Sequence, residues 1–209
     1  MGEVAELTQK LSQSIAQGKG TECRATLEKL RSLDSRFEAT LTLQRAQCEM
    51  IAGQCETGRG VLRRMFAEQT RLSPGQADRS VESIASQYCQ EHQLTPHEQV
   101  QRAGTLLTQG AYTEARNDCA QNVAKMKKAL KQLKPRDADD RTAETWGRSL
   151  FMTGAACHAR AGDCAAAWKV FKAEYPVATL AKIPAAQRDR VLSDSFASLV
   201  PRCKNPSTP

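Results

Sequence analysis

CEMIAGQC at residues 48–55 and CHARAGDC at residues 157–164 share one cysteine spacing, and each places Ala-Gly ahead of its second cysteine. Working outward, Cys23, Cys48, Cys55 and Cys89 answer in order to Cys119, Cys157, Cys164 and Cys203. The last cysteine of each set is reached through matching text, QADRSVESIASQYC at 76–89 and QRDRVLSDSFASLVPRC at 187–203. This pattern predicts two copies of one cysteine-bearing unit, residues 1–93 and 94–203, packed as one continuous domain. Residues 204–209 read as a disordered tail.

A chain of 209 residues can bury most of its core surface without staples, so eight cysteines are not needed to rescue a tiny fold. Their regular placement predicts disulfides and an oxidising compartment: periplasmic, envelope-associated or secreted. Unlinked core thiols in a cytosolic helical protein are the competing reading, and duplicated spacing argues against them. Met1-Gly2-Glu3 leads into a polar amphipathic segment with no basic start and no apolar stretch, so no secretory signal is visible. Paired cysteines then imply a signal, lipid anchor or membrane segment ahead of Met1, with Met1-Gly2 as a cloning remnant. Glu6 disfavours myristoylation of Gly2. No apolar run approaches the ~20 residues of a membrane span. The net charge of +7 biases the chain toward acidic partners, although the charge is widely spread.

Helical periodicity dominates and β-branched alternation is scarce, which predicts an all-α fold of about ten helices. Val4, Leu7, Leu11 and Ile15 form one stripe over residues 3–17, and Gly18-Lys19-Gly20 breaks it. Further helices are expected at 21–33 with Thr21 as N-cap, at 35–52, at 55–71 and at 76–91 after the Ser73-Pro74-Gly75 turn. Thr95-Pro96-His97-Glu98 reads as a capping box with Pro at the first helical position. The second unit repeats the plan, with helices at 96–109, 112–133, 138–161, 164–175 and 185–200. Insertions around Pro135 and at 177–183 distinguish it.

GDCAAAWKVFKAEYP at 162–176 resembles the second helix of a tetratricopeptide repeat, through Gly162-Asp163, Ala167, Phe171 and Pro176. Cys164 departs from that pattern by standing where an aromatic is usual. Leu150, Gly154 and Ala155 supply the large-then-small arrangement of a first helix. QGAYTEARNDC at 109–119 is a second match through Gly110, Tyr112 and Ala115, and weaker versions begin at Gln17-Gly18 and Gly53. The resemblance covers about two thirds of the chain and implies an α-solenoid of stacked hairpins, whose small residues allow close helix approach.

The paired cysteines resemble those of Sel-like repeat proteins, where disulfides tie the two helices of a hairpin. That resemblance, together with the tight turn between them, favours Cys48–Cys55 and Cys157–Cys164, with Cys23–Cys89 and Cys119–Cys203 as long-range links. Within a unit, Cys23–Cys48 with Cys55–Cys89 stays open.

Candidate sites are few. Cys89 with His92, and Cys157 with His158, bring soft ligands together, but neither has the clustered spacing of a structural zinc site, so no metal or other cofactor is expected. His92, His97 and His158 stand in polar contexts that read as surface, and no nucleophile-elbow, Walker, zinc-protease or dinucleotide motif appears. The chain is read as a non-enzyme. Lys125, Lys127, Lys128, Lys131 and Lys134 fall on more than one helical face, which favours a solvated surface over a nucleic-acid patch, and Arg59, Arg63 and Arg64 are read the same way. Trp168 is read as core and Trp146 as an interface candidate. By analogy with the concave face of tetratricopeptide arrays, Gln44, Gln47, Ile51, Arg148, Met152 and Arg160 are candidate groove residues. The expected role is an extracytoplasmic binding, scaffold or sensor module for a protein, peptide or envelope polymer. The competing role is an anionic-polymer binder acting through residues 125–134.

Overall fold

The computed structural model describes residues 2–69, 72–112, 118–135 and 140–203. Ala115 and the tail 204–209 lie outside the described residues. Among those described the chain is helical and holds no strand. It divides into two compact units, Met1–Glu98 and Gln99–Pro209.

In the first unit the helices are α1 (Gly2–Ala16), α2 (Gly20–Leu33), the single turn α3 (Phe37–Thr40), α4 (Thr42–Ile51), α5 (Cys55–Gln69) and α6 (Pro74–Tyr88), followed by a 3₁₀ turn at Glu91–Gln93. In the second are α8 (Cys119–Gln132), α9 (Thr142–Arg160), α10 (Cys164–Glu174), the short α11 (Val177–Ala181), a 3₁₀ turn at Ala185–Gln187 and α12 (Arg188–Leu199). Between them in sequence lies α7 (Pro96–Tyr112), and the division falls inside its first turn.

Three hairpin turns share one geometry. Gly18, Gly53 and Gly162 have φ of 68°, 84° and 86°, the left-handed region where glycine carries no side-chain penalty. Around each glycine the same two reversed bonds close the preceding helix. Gly18 N–H donates to Ile15 O and Lys19 N–H to Ser14 O; Gly53 to Met50 O and Gln54 to Glu49 O; Gly162 to Ala159 O and Asp163 to His158 O. These are Schellman motifs, and they satisfy carbonyls that a helix end otherwise leaves without partners. The shared Ala-Gly ahead of Cys55 and Cys164 is this turn, written in sequence.

Helix starts follow local chemistry in four places. Ser73 and Gln76 form a capping box, and the side chains of Asp118 and Asp163 accept from the amides of Gln121 and Ala166 at 2.8 Å. Thr95 and Glu98 form the expected box: Glu98 N–H donates to Thr95 Oγ1 at 3.3 Å, and Thr95 N–H donates to Glu98 Oε2 at 2.9 Å. Thr21 does not cap α2. That helix begins a residue earlier, at Gly20, with Lys19 before it. The helix expected over 35–52 breaks at Leu41 into α3 and α4, and Gly110 interrupts nothing, since α7 runs through it to Tyr112.

Each unit contains two apolar clusters that share a middle helix. In the first, Leu11, Leu27 and Leu30 pack with Cys23 and Cys48, while Met50, Leu62, Val81 and Ala85 pack with Cys55 and Cys89; α4 contributes to both. In the second, α9 contributes Leu150 to a cluster with Val100, Leu107 and Met126, and Ala155 to one with Phe171, Leu192 and Phe196. A hairpin cannot cover its own apolar face, so each borrows the next helix along. Ala155 and Ala167 are fully buried, as expected of small residues at close helix approaches. Trp168 packs edge-on against Phe196, with ring centroids 5.0 Å apart.

All eight cysteines are paired, but not in the favoured arrangement. The disulfides are Cys23–Cys48, Cys55–Cys89, Cys119–Cys157 and Cys164–Cys203, with Cα separations of 5.4 to 5.8 Å. The pairs Cys48–Cys55, Cys157–Cys164, Cys23–Cys89 and Cys119–Cys203 are therefore excluded in this fold, and in the first unit the alternative left open is the one found. The reason is facial. Cys48 lies in the last turn of α4 among the α1–α2 cluster, whereas Cys55 opens α5 among the α6 cluster, so neighbours across one turn serve opposite sides of the hairpin. Each bond ties the start of one helix to the end of the next major helix, crossing between hairpins rather than closing one. Four such bonds suggest an oxidising, extracytoplasmic environment.

Candidate binding groove

The disulfides fix how helices of the first unit are directed. Cys23 starts α2 and Cys48 ends α4, so these two run antiparallel; Cys55 starts α5 and Cys89 follows the end of α6, so those two do as well. Since α1 and α2 form a hairpin about Gly18, as α4 and α5 do about Gly53, the helices α1, α4 and α6 finish at the same end of the unit. A groove of about 590 Å³ opens there. Ser12, Ile15, Ala16 and Gly18 line it from α1 and its turn, Ile51 from the last residue of α4, and Gln87, Tyr88, Cys89 and Gln90 from the end of α6. Ile15, Ile51 and Tyr88 are half-buried, while Ser12, Gln87 and Gln90 are exposed. The side chain of Gln90 reaches within 3.7 Å of where a Cβ would stand on Gly53.

The lining mixes apolar side chains with hydroxyl and amide groups. It contains no acid, base or histidine, and its cysteine is held in the bond to Cys55. Apolar walls with a few hydroxyl and amide groups are the usual makeup of a ligand cleft. Among the described residues no group of three or more His, Cys, Asp or Glu side chains is placed to hold a metal ion.

Of the candidate groove residues, Ile51 lines this groove. Gln44 and Gln47 lie half-buried earlier on α4, and the Gln44 amide oxygen is buried with no hydrogen-bond partner. Arg148, Met152 and Arg160 are exposed on α9 of the second unit, where Arg148 pairs with Glu144. Trp146 is half-buried against the α7–α9 cluster. An added Cβ on Gly104 would stand 2.2 Å from its ring, so the missing side chain of that glycine makes room for the indole. The five lysines do not form one free patch. Lys127 pairs with Glu174 of α10, Lys128, Lys131 and Lys134 are exposed, and Lys125 is partly covered.

Two titratable side chains expected at the surface, Arg59 and His158, are buried. Arg59 is 3% exposed and is held by Glu98, itself 1% exposed. Its Nε donates to Glu98 Oε1 at 2.7 Å, its Nη2 to the Gln93 carbonyl at 2.9 Å and to Glu98 Oε2, and its Nη1 to Glu56. Burial works against the guanidinium charge, but the Glu98 and Glu56 carboxylates outweigh it and raise the Arg59 pKa. His158 is 8% exposed in α9, beside the N-cap residues Asp163 and Asp118. Burial lowers its pKa, and the two aspartates only partly oppose that. Neither group was legible as buried. A polar flank reads as surface until the neighbouring helix is in place.

No protein-family model, curated protein or solved structure matches this chain.

Proposed function

We propose that this chain is a non-catalytic binding module of the periplasm, envelope or exterior, built as a tetratricopeptide-like helical array that takes an extended protein or peptide segment. The observation that carries this reading is the groove at the shared end of α1, α4 and α6. Its half-buried Ile15, Ile51 and Tyr88 offer apolar contact, and Ser12, Gln87 and Gln90 offer hydrogen bonds to a peptide backbone. The Cys23–Cys48 bond ties α4 to α2 and the Cys55–Cys89 bond ties the end of α6 to α5, so little ordering entropy of these walls opposes association.

The anionic-polymer reading draws less support, because Lys127 is already engaged by Glu174. A random-peptide display library panned on the full chain tests the two together. Reproducibly enriched peptides should lose binding to Ile51→Trp, which fills the groove, and keep it with Lys128→Glu/Lys131→Glu. Peptides indifferent to Ile51→Trp would refute the groove. Salt-sensitive binding of a polyanion such as heparin, lost only in the lysine variant, would favour the alternative.

A further inference from the structure

We propose that the second unit docks on a bilayer of anionic lipid through the end opposite its disulfides, a site that does not rest on the groove of the first unit. Charge is divided unevenly along the chain. Residues 1–98 carry 12 lysines and arginines against 13 acids, whereas residues 99–209 carry 18 against 10. The whole positive excess therefore belongs to the second unit, the kind of asymmetry that marks contact with an anionic surface.

The disulfides show where this charge collects. Cys119 opens α8 and bonds to Cys157 near the end of α9, so α8 and α9 run antiparallel. The chain turns at Gly162 into α10, whose first residue, Cys164, bonds to Cys203 beyond the end of α12. Both bonds lie at the Gly162 end. The far end gathers the last turns of α8 and α10, the first turn of α12, and α11 between them. Lys127 pairs there with Glu174, and Lys172 with Asp189 at 4.0 Å, joining α8 to α10 and α10 to α12.

These pairs use two acids of this end, and Asp194 pairs with Arg190 at 3.7 Å. Arg141 and Arg148 both pair with Glu144 and offset the charge of Asp140 beside them. Left over are Lys128, Lys131 and Lys134 from the end of α8, Lys182 after α11, and Arg188 at the start of α12. All five are exposed, and among the described residues none is in an ion pair. An apolar side chain stands out at the same end. Val177 opens α11 and is 80% exposed, while Leu180 of that helix packs inward on the Phe171–Phe196 cluster and fixes which side faces out. Five cations with an apolar prominence match a bilayer interface, where lipid phosphates meet the lysines and Val177 enters the acyl boundary. A soluble polyanion would use the cations and gain nothing from Val177.

The test is co-sedimentation of the full, oxidised chain with vesicles of phosphatidylcholine, pure or mixed equally with phosphatidylglycerol. The chain should bind the mixed vesicles, more weakly as salt rises, and ignore the pure ones. Each neutralised cation should cost about fivefold, so Lys128→Gln/Lys131→Gln/Lys182→Gln should bind about a hundredfold more weakly. Val177→Asn should weaken vesicle binding and leave heparin binding unchanged. Arg36→Gln/Arg63→Gln/Arg64→Gln removes the same charge from exposed positions of the first unit and should bind as the unaltered chain does. Equal weakening by the two triple variants, or binding to pure phosphatidylcholine, would overturn the proposal. Binding of heparin without binding of mixed vesicles would also overturn it, in favour of a soluble polyanion.

Discussion

Replacing Glu98 with Gln should cost the first unit about 3–5 kcal/mol, because it strands the buried Arg59 charge. The substitution is nearly isosteric. A glutamine at this position still reaches back to the Thr95 amide, so loss at the start of α7 stays below the ~1 kcal/mol typical of a whole cap. Glu56 cannot stand in for Glu98. Its side chain is 80% exposed, and exposed pairs contribute about 0–1 kcal/mol. With Arg59 only 3% exposed, its guanidinium would keep the Gln93 carbonyl and the exposed Glu56 but lose its buried counter-charge. In a unit of this size the loss corresponds to a fall in Tm of at least ~12 °C, measurable by circular dichroism. The double variant Arg59→Met/Glu98→Gln removes both charges and should recover at least ~1 kcal/mol over Glu98→Gln alone. A loss under ~1 kcal/mol for Glu98→Gln, or a double variant as unstable as the single, would refute the idea that this pair matters through its buried charge.

The disulfide pattern has a direct chemical test. Trypsin leaves Cys48 and Cys55 on one fragment, residues 46–59, which under non-reducing conditions should stay linked to both the Cys23 and the Cys89 fragments; its release as a lone, internally bridged peptide would contradict the fold. Changing Cys164 and Cys203 together to Ser should cost about 4 kcal/mol by chain entropy for their separation of 39, read out by urea unfolding. His158 should make the second unit acid-sensitive. Its folded pKa lies below the unfolded value near 6.5, so its contribution is complete above that pH and is lost as pH falls from about 6.5 toward the lower folded value, where the unfolded chain binds the proton first. His158→Gln should flatten that part of the pH–Tm curve, and an unchanged slope would show that the histidine is not responsible.

Local chemistry written in adjacent residues was readable from the sequence. The Ala-Gly before Cys55 and Cys164 specified the left-handed turns, because the glycine without a Cβ can adopt φ of 84° and 86°. Thr95 and Glu98 announced their capping box through a spacing of three, and the apolar stripe of α1 through its period. Eight regularly placed cysteines indicated oxidised pairs. What these signals have in common is that the interacting groups lie within a few residues, where the chain itself sets the distance.

Tertiary packing decided the rest. Which cysteine meets which depends on the face each presents to the next hairpin, so the tight turn between Cys48 and Cys55 misled. Arg59 is one of several arginines on α5, and only the arrival of Glu98, 39 residues on, makes it a buried ion pair. The groove at Ala16, Ile51 and Tyr88 exists because three helices distant in sequence stop at one end of the unit. Periodicity shows that a helix has an apolar face; only the assembled neighbours determine what that face covers and where the helix ends meet.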